Sequence, residues 1–328
     1  AGINHNGSVE KAVKMVKTAK NAGVSAIKFQ TFKAHEFISN SSLTYTYTSQ
    51  GESITESQLD LFKRCELSND DFYKIKKTCD EEKIIFLSTP QNKSDLDFLL
   101  ELGVSAIKVG SDDFTNIPLL KYYSKTKLPI IISCGMATLE EIETTLDAIG
   151  TLDGYPTALL LTTSEYPTPP QNVNLQKLRT LSQKFPDITL GYSDHTQGNL
   201  ASIVAISFGA CIFERHFTLD NSLPGPDHWF SVNPSNLKIW SDSIKTAYQM
   251  MGSSEILPTE SETKMKTIAR RSIVSLDHIE LGETLNENNI GLRRPGTGLP
   301  PKMFESILGK KAIKTIKKFT IINKEDFA

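Results

Sequence analysis

The chain has 328 residues, of which 39% are hydrophobic and 23% charged, with a formal net charge of −2. A chain of that size can bury a substantial core, and the near-neutral balance excludes a general electrostatic grip on nucleic acid, which needs a basic excess. No apolar run reaches the length that a bilayer crossing requires, so the sequence predicts a soluble protein with no membrane partner.

Taken in chain order, Ala1-Gly2-Ile3-Asn4-His5 reads as the tail of a strand. Over 8–21, Val9, Ala12, Val13, Val16 and Ala19 recur at helical spacing, and Gly23 closes that helix. Residues 26–30 then read as a strand. The cycle repeats with strand-like runs at 84–88, 106–109, 130–133, 158–162, 189–193 and 211–215, and helical patterns over 69–82, 94–102, 139–149 and 200–209. With the opening strand tail this makes about eight βα units, the number that closes a parallel barrel. Near-continuous apolar strands suit a sheet covered on both faces. An open doubly wound sheet uses the same units, but no G-x-G-x-x-G turn follows an early strand. The favoured expectation is an α/β fold of the (β/α)8 TIM-barrel type over 1–252. Residues 253–268 are polar, contain Pro258 and read as a linker. Short segments and turns over 269–328 predict a small second domain, near the lower size limit for independent stability and so expected to dock on the barrel or on a partner subunit. Cys65, Cys79, Cys134 and Cys211 are scattered without a C-x-x-C pair, which fits a cytoplasmic, reducing location rather than a zinc site or disulfide framework.

A parallel barrel places its chemistry where strands run into the following loops. The strand ends here are Lys28-Phe29-Gln30, Ser88-Thr89-Pro90, Lys108-Val109-Gly110-Ser111, Ser133-Cys134-Gly135, Thr163-Ser164-Glu165-Tyr166, Ser193-Asp194-His195 and Glu214-Arg215-His216. His195 and His216 end consecutive strands. With Asp194, Glu214 and Asp227 nearby they form a candidate divalent-metal site; the alternative is a pair of hydrogen-bonded structural histidines. Lys28 and Lys108 interrupt apolar strands and are candidates for fixing an anionic substrate, helped by hydroxyls of Ser111, Ser133, Ser164 and Ser193. The alternative is an internal carboxylate partner for each lysine. Pro224-Gly225-Pro226-Asp227-His228-Trp229-Phe230 suits a loop over the rim that carries Asp227, or a structural turn with His228 on the surface. The Arg293-Arg294-Pro295-Gly296 turn is either a solvated basic loop or the source of a binding arginine.

Ten stretches together resemble the sialic acid synthases and the related legionaminic acid synthases. In chain order they run from Gly2-Ile3-Asn4-His5-Asn6-Gly7 and Lys28-Phe29-Gln30-Thr31-Phe32 through Ser88-Thr89-Pro90, Lys108-Val109-Gly110-Ser111, Gly135-Met136-Ala137 and Tyr166-Pro167-Thr168-Pro169. They continue with Gly191-Tyr192-Ser193-Asp194-His195-Thr196, Glu214-Arg215-His216-Phe217-Thr218, Gly225-Pro226-Asp227-His228 and Arg294-Pro295-Gly296-Thr297-Gly298. The resemblance implies a (β/α)8 barrel followed by an antifreeze-protein-like (SAF) domain. It further implies condensation of phosphoenolpyruvate with an N-acyl-mannosamine-type aldose to N-acetylneuraminate, or with a 2,4-diacetamido-trideoxyhexose to legionaminate. Carried over by motif, His195 and His216 would bind manganese or magnesium. Lys28, Thr89, Lys108, Ser111, Ser133, Ser164 and Ser193 would hold phosphoenolpyruvate, and Gln30, Tyr166 and Asp227 would face the sugar. Arg294 would reach the N-acyl group from the partner subunit of a domain-swapped homodimer. The family's catalytic glutamate would lie just upstream of Ala1. The chain departs from the family pattern at Thr162, Ser164, Asp112-Asp113 and Gln91, which bears on the sugar more than on the reaction. The competing readings are a synthase for a phosphorylated aldose and a non-catalytic sugar- or ice-binding protein.

Overall fold

A computed structural model describes residues 1–40 and 42–328 and divides into two compact units, Ala1–Gly252 and Ser253–Ala328. In the first unit, β1 (Ala26–Thr31) is followed by an antiparallel hairpin of β2 (Thr44–Ser49) and β3 (Glu52–Ser57). β4 (Ile85–Pro90) then pairs in parallel with β1, placing Lys28 beside Leu87 and Gln30 beside Thr89. β5 (Ile107–Val109), β6 (Ile130–Ser133), β7 (Thr157–Thr162), β8 (Thr189–Asp194) and β9 (Ile212–Arg215) form a five-stranded parallel sheet in strict sequence order. A doubly wound sheet reverses its strand order at a switch point; this one does not. The hydrogen-bonded ladders form a half-barrel of five strands and a separate pair, rather than one closed ring of eight, and Gly2 adds a parallel bridge to Phe29.

The helices between the strands follow from local chemistry. Ser8 Oγ accepts from Lys11 N at the start of Val9–Asn21, and Ser68/Asp71 and Thr138/Glu141 close capping boxes on Asn69–Glu82 and Leu139–Ala148. Ala12, Met15, Val16 and Ala19 form one buried stripe, which packs with Ile27, Phe29, Phe72 and Ile75. A second cluster joins Ile107, Val109, Ile130, Ile132, Leu159, Leu161, Leu190 and Tyr192 to the helices beyond them. Among the described residues, no helix is long and apolar enough to cross a membrane, and all four cysteines are free.

The hairpin β2–β3 has no counterpart in the sequence reading. Its turn is Gln50-Gly51, both at positive φ (52° and 85°), the geometry of a two-residue hairpin turn. The second unit starts inside the expected linker, where Glu260–Ala269 is a helix capped by a Thr259/Glu262 box. β10 (Ser272–Ser275) and β11 (Ile290–Arg293) then pair antiparallel over a core that includes Ile273, Ile279, Leu285, Ile290 and Ile322.

Candidate active site

Strand parity places the polar residues. Successive side chains point to opposite faces of a strand. Because Ile107, Val109, Ile130, Ile132, Leu159, Leu161, Leu190 and Tyr192 face the helices, Lys108, Ser133, Thr162 and Ser193 face the other way. Glu214 is the register partner of Ser193, and on β1 Lys28 and Gln30 lie opposite Phe29. A cavity of about 510 Å³ reaches Lys28, Lys108, Leu160, Glu214 and His216 on this face and Ile27, Leu237 and Trp240 on the helix side.

Glu214 sits between the two lysines, with Oε2 3.8 Å from Lys28 Nζ and Oε1 3.8 Å from Lys108 Nζ. Lys108 Nζ also donates to Ser133 Oγ at 2.7 Å and to the Val109 carbonyl at 2.8 Å, and Ser193 Oγ donates to Glu214 Oε1 at 3.1 Å. Burial lowers the Lys108 ammonium to about 8, against the opposing pull of Glu214. Burial pushes the Glu214 carboxyl up, but Lys108 and Lys28 outweigh it and hold the group at about 2. Two cations share one carboxylate, so an internal partner exists and positive charge is still left over for an anion. The protonated form of Lys108 is the one that would hold such an anion. Affinity for the phosphate dianion should therefore be full below pH 8 and fall as pH rises through it, approaching a tenfold loss per unit for one linked proton. Calorimetric titration at about pH 8 and about pH 10, where the ligand stays a dianion, checks this; a flat profile contradicts it.

Beside the lysines, Ser111 Oγ accepts from Gly135 N at 3.0 Å. A Cβ at Gly135 would come within 2.5 Å of Ser164 Oγ and 2.6 Å of Ser111 Oγ, so both hydroxyls converge on this glycine. Gly135→Ala should push them apart and weaken phosphate binding about tenfold, ~1.4 kcal/mol. The same calorimetry checks it, and unchanged affinity would remove both hydroxyls from the anion site.

His195 and His216 follow β8 and β9 with ring centroids 5.4 Å apart. Tyr166 lies 4.2 Å from the His195 ring and 5.6 Å from the His216 ring, and Phe230 packs 5.3 Å from His216. His195 Nδ1 donates to the Thr163 carbonyl at 2.8 Å, which leaves the Nε2 lone pair free. His216 Nδ1 is buried without a hydrogen-bond partner among the described residues, with Asp227 Oδ2 3.6 Å away. Burial lowers both imidazoles, so both are neutral at physiological pH, the form that binds a cation. Burial also raises Asp227, to about 6. An orphaned ring nitrogen beside the Asp227 carboxylate, on an imidazole whose ring centroid is 5.4 Å from that of a second neutral histidine, is a donor set that fits a divalent cation. Among the described residues no group of three or more His, Cys, Asp or Glu side chains is arranged to hold a metal. The fit rests on the two histidines, with the remaining positions open.

A model of the NeuB family matches residues 15–256. The chain belongs to the NeuB family. A model of the SAF domain matches residues 270–328. An N,N'-diacetyllegionaminic acid synthase of Legionella pneumophila is 37% identical over 316 residues, covering 95% of this chain and 88% of that protein. An N-acetylneuraminate-9-phosphate synthase of Drosophila melanogaster is 32% identical over 339 residues, covering 94% and 90%. The crystal structure of an N-acetylneuraminic acid synthetase of Leptospira borgpetersenii, in complex with citrate, superposes with a TM-score of 0.72 at 30% identity, covering 81% of this chain and 87% of that one.

In this NeuB-family chain the predicted residues do not all converge. Lys28, Lys108, Ser133, Ser193, Tyr166, Asp227 and the two histidines form one connected cluster, with Ser111 and Ser164 meeting at Gly135. Gln30 and Thr89 are register partners, two residues further along the ladder from Lys28. Arg294 belongs to the second unit and is exposed there. Asp194 corrects part of the expectation: of the carboxylates expected near the histidines, Asp227 is beside His216 and Asp194 is turned away. It faces the helices, accepts from Thr196 N and Oγ1 at 2.8 Å and Ser202 Oγ at 2.5 Å, and lies 3.5 Å from Arg215. The reason is parity: Asp194 lies on the side of Leu190 and Tyr192, His195 on the other. Glu214, expected near the metal, belongs chiefly to the lysines. His228, one reading of which put it on the surface, is fully buried.

Proposed function

We propose that this chain condenses phosphoenolpyruvate with the open-chain form of an N-acyl-mannosamine-type aldose and water, giving N-acetylneuraminate or a related nonulosonic acid and phosphate. The observation that carries this reading is the pair of lysines sharing one carboxylate, flanked by hydroxyls and set beside two neutral histidines. On this reading the barrel closes as a (β/α)8 ring. Lys28, Thr89, Lys108, Ser111, Ser133, Ser164 and Ser193 hold phosphoenolpyruvate; Gln30, Tyr166 and Asp227 face the aldose. His195 and His216 hold Mn2+ or Mg2+, which when bound supplies Lewis-acid polarisation of the aldehyde oxygen. Arg294, from the SAF domain of a partner subunit in a homodimer, reaches the N-acyl group.

The reaction then needs little from the chain beyond charge placed in advance. The lysines and hydroxyls neutralise the phosphate and carboxylate while the alkene carbon attacks the aldehyde carbon. Positive charge develops at the enol carbon, and on this reading ionised Glu214 stabilises it, too acidic to be an effective base. Water adds at that carbon, and phosphate leaves from the tetrahedral intermediate with cleavage of its carbon–oxygen bond.

Two relatives favour different acceptors. The Legionella protein is named for N,N'-diacetyllegionaminic acid, which supports a 2,4-diacetamido-trideoxyhexose. The Drosophila protein is named for a 9-phosphate product, which supports a phosphorylated aldose. A phosphorylated aldose needs a second cationic pocket beyond Lys28 and Lys108, so the unphosphorylated acceptors are preferred. Phosphate release measured with each aldose in competition tests this: turnover with the phosphorylated aldose alone would contradict the preference, and loss of turnover on chelation is the expected sign of the metal.

A further inference from the structure

The loop that carries Asp227 is tied down from two sides by residues outside the cluster described above. From the core side, His228 Nε2 and Asn6 Oδ1 are 3.2 Å apart, and His228 Nδ1 and Thr218 Oγ1 are 2.7 Å apart. Asn6 Nδ2 donates to the Pro224 carbonyl at 2.8 Å, which turns its Oδ1 toward His228 and makes His228 Nε2 the donor. Gly225, at φ 141°, packs so closely here that a Cβ would stand 2.9 Å from His228 Cδ2. From the outer side the β2–β3 hairpin tip takes hold of the same loop. Gly225 N donates to Ser49 Oγ at 3.1 Å, and Gln50 Nε2 donates to the Ser222 carbonyl at 2.8 Å. Burial holds the His228 imidazole down at about 4, so it bridges in its neutral form. Tyr45, on the hairpin, has its phenol raised by burial and then by the charge of Asp227, which places the hairpin within electrostatic reach of that carboxylate.

We infer that His228 and the hairpin tip at Gln50 are positioning residues: they clamp the 222–230 loop between the core and the β2–β3 hairpin and so hold Asp227 at the acceptor side of the site. This rests on the reading of Asp227 as an acceptor-sugar contact. The hairpin is then a specificity element, since its tip at Ser49 and Gln50 bonds the loop that carries Asp227.

Of the two outer ties, Gln50→Ala removes the one that falls at an exposed position, and His228→Phe removes the inner one. Each should raise KM for the aldose about tenfold, the scale expected for a misplaced binding group, and leave KM for phosphoenolpyruvate unchanged. His228→Gln, which keeps a donor toward Asn6, should recover part of the loss. In an Asp227→Ala background the Gln50→Ala effect should vanish. Amide exchange across 222–230 should also speed up by about tenfold in either variant. Wild-type aldose KM together with wild-type loop exchange in both variants overturns the inference, as does a Gln50→Ala effect that persists without Asp227. If the chain turns over no aldose at all, the synthase reading fails, while loop exchange still decides whether these ties hold the loop.

Discussion

Lys108→Met should lower kcat/KM for phosphoenolpyruvate turnover by about 10³-fold, the cost of one preorganised electrostatic contact or somewhat more. The lysine side chain is only 3% exposed and has no solvent to fall back on. Its ammonium meets Ser133 Oγ, the Val109 carbonyl and Glu214. Removing it also leaves Glu214 with Lys28 as its one lysine partner among the described residues, so a carboxylate would face the incoming anion with half of its neutralising charge gone. Methionine fills most of the volume, and Glu214 keeps one partner, so the unfolding midpoint should move far less than the activity. Steady-state kinetics beside a thermal melt separate these effects. Activity within threefold of the parent would show that Lys108 belongs to the scaffold.

Asp194→Ala should destabilise the first unit by about 3–5 kcal/mol, because it strips the partner from a buried cation. The Arg215 side chain is 4% exposed and Asp194 is wholly buried. Arg215 also donates to the Thr196 and Gly198 carbonyls, and Ser202 Oγ, which donates to Asp194, accepts from Trp240 Nε1 at 2.9 Å. The network therefore joins the turn after His195 to Leu200–Ile206 and Pro234–Met251. At about 2–4 °C per kcal/mol for a unit of this size, the melting temperature should fall by roughly 6–20 °C. Asp194→Asn keeps acceptors for Thr196 and should lose less. A melt within two or three degrees of the parent for Asp194→Ala would mean that Arg215 finds another acceptor.

The inner residues of the lysine cluster were legible because each interrupts or ends an apolar strand. Lys108 between Ile107 and Val109 is a signal that needs no register. Asp194 was misplaced for the complementary reason: it and His195 are equally polar neighbours, and only the strand's alternation, anchored on Leu190 and Tyr192, assigns them to opposite faces. The burial of His228 depends on Asn6, 222 positions away, which no local pattern reveals. The hairpin was missed although Thr44-Tyr45-Thr46-Tyr47-Thr48 alternates two strand-forming residue types, with Tyr45 and Tyr47 stacked on one face, because it carries no aliphatic run and Gln50-Gly51 is a weak turn signal. Glu260–Ala269 carries a readable capping box at Thr259 and Glu262, yet it buries no residue, so composition marked it as linker.

The most direct test is mass spectrometry of the products formed from phosphoenolpyruvate labelled with ¹⁸O at its bridging oxygen, with a divalent metal and a panel of N-acyl-mannosamines and diacetamido-trideoxyhexoses. The account predicts a nine-carbon acid and inorganic phosphate that carries the label, because water adds at the enol carbon and the carbon–oxygen bond breaks. Label retained in the acid, or no nine-carbon product with any member of the panel, would contradict it.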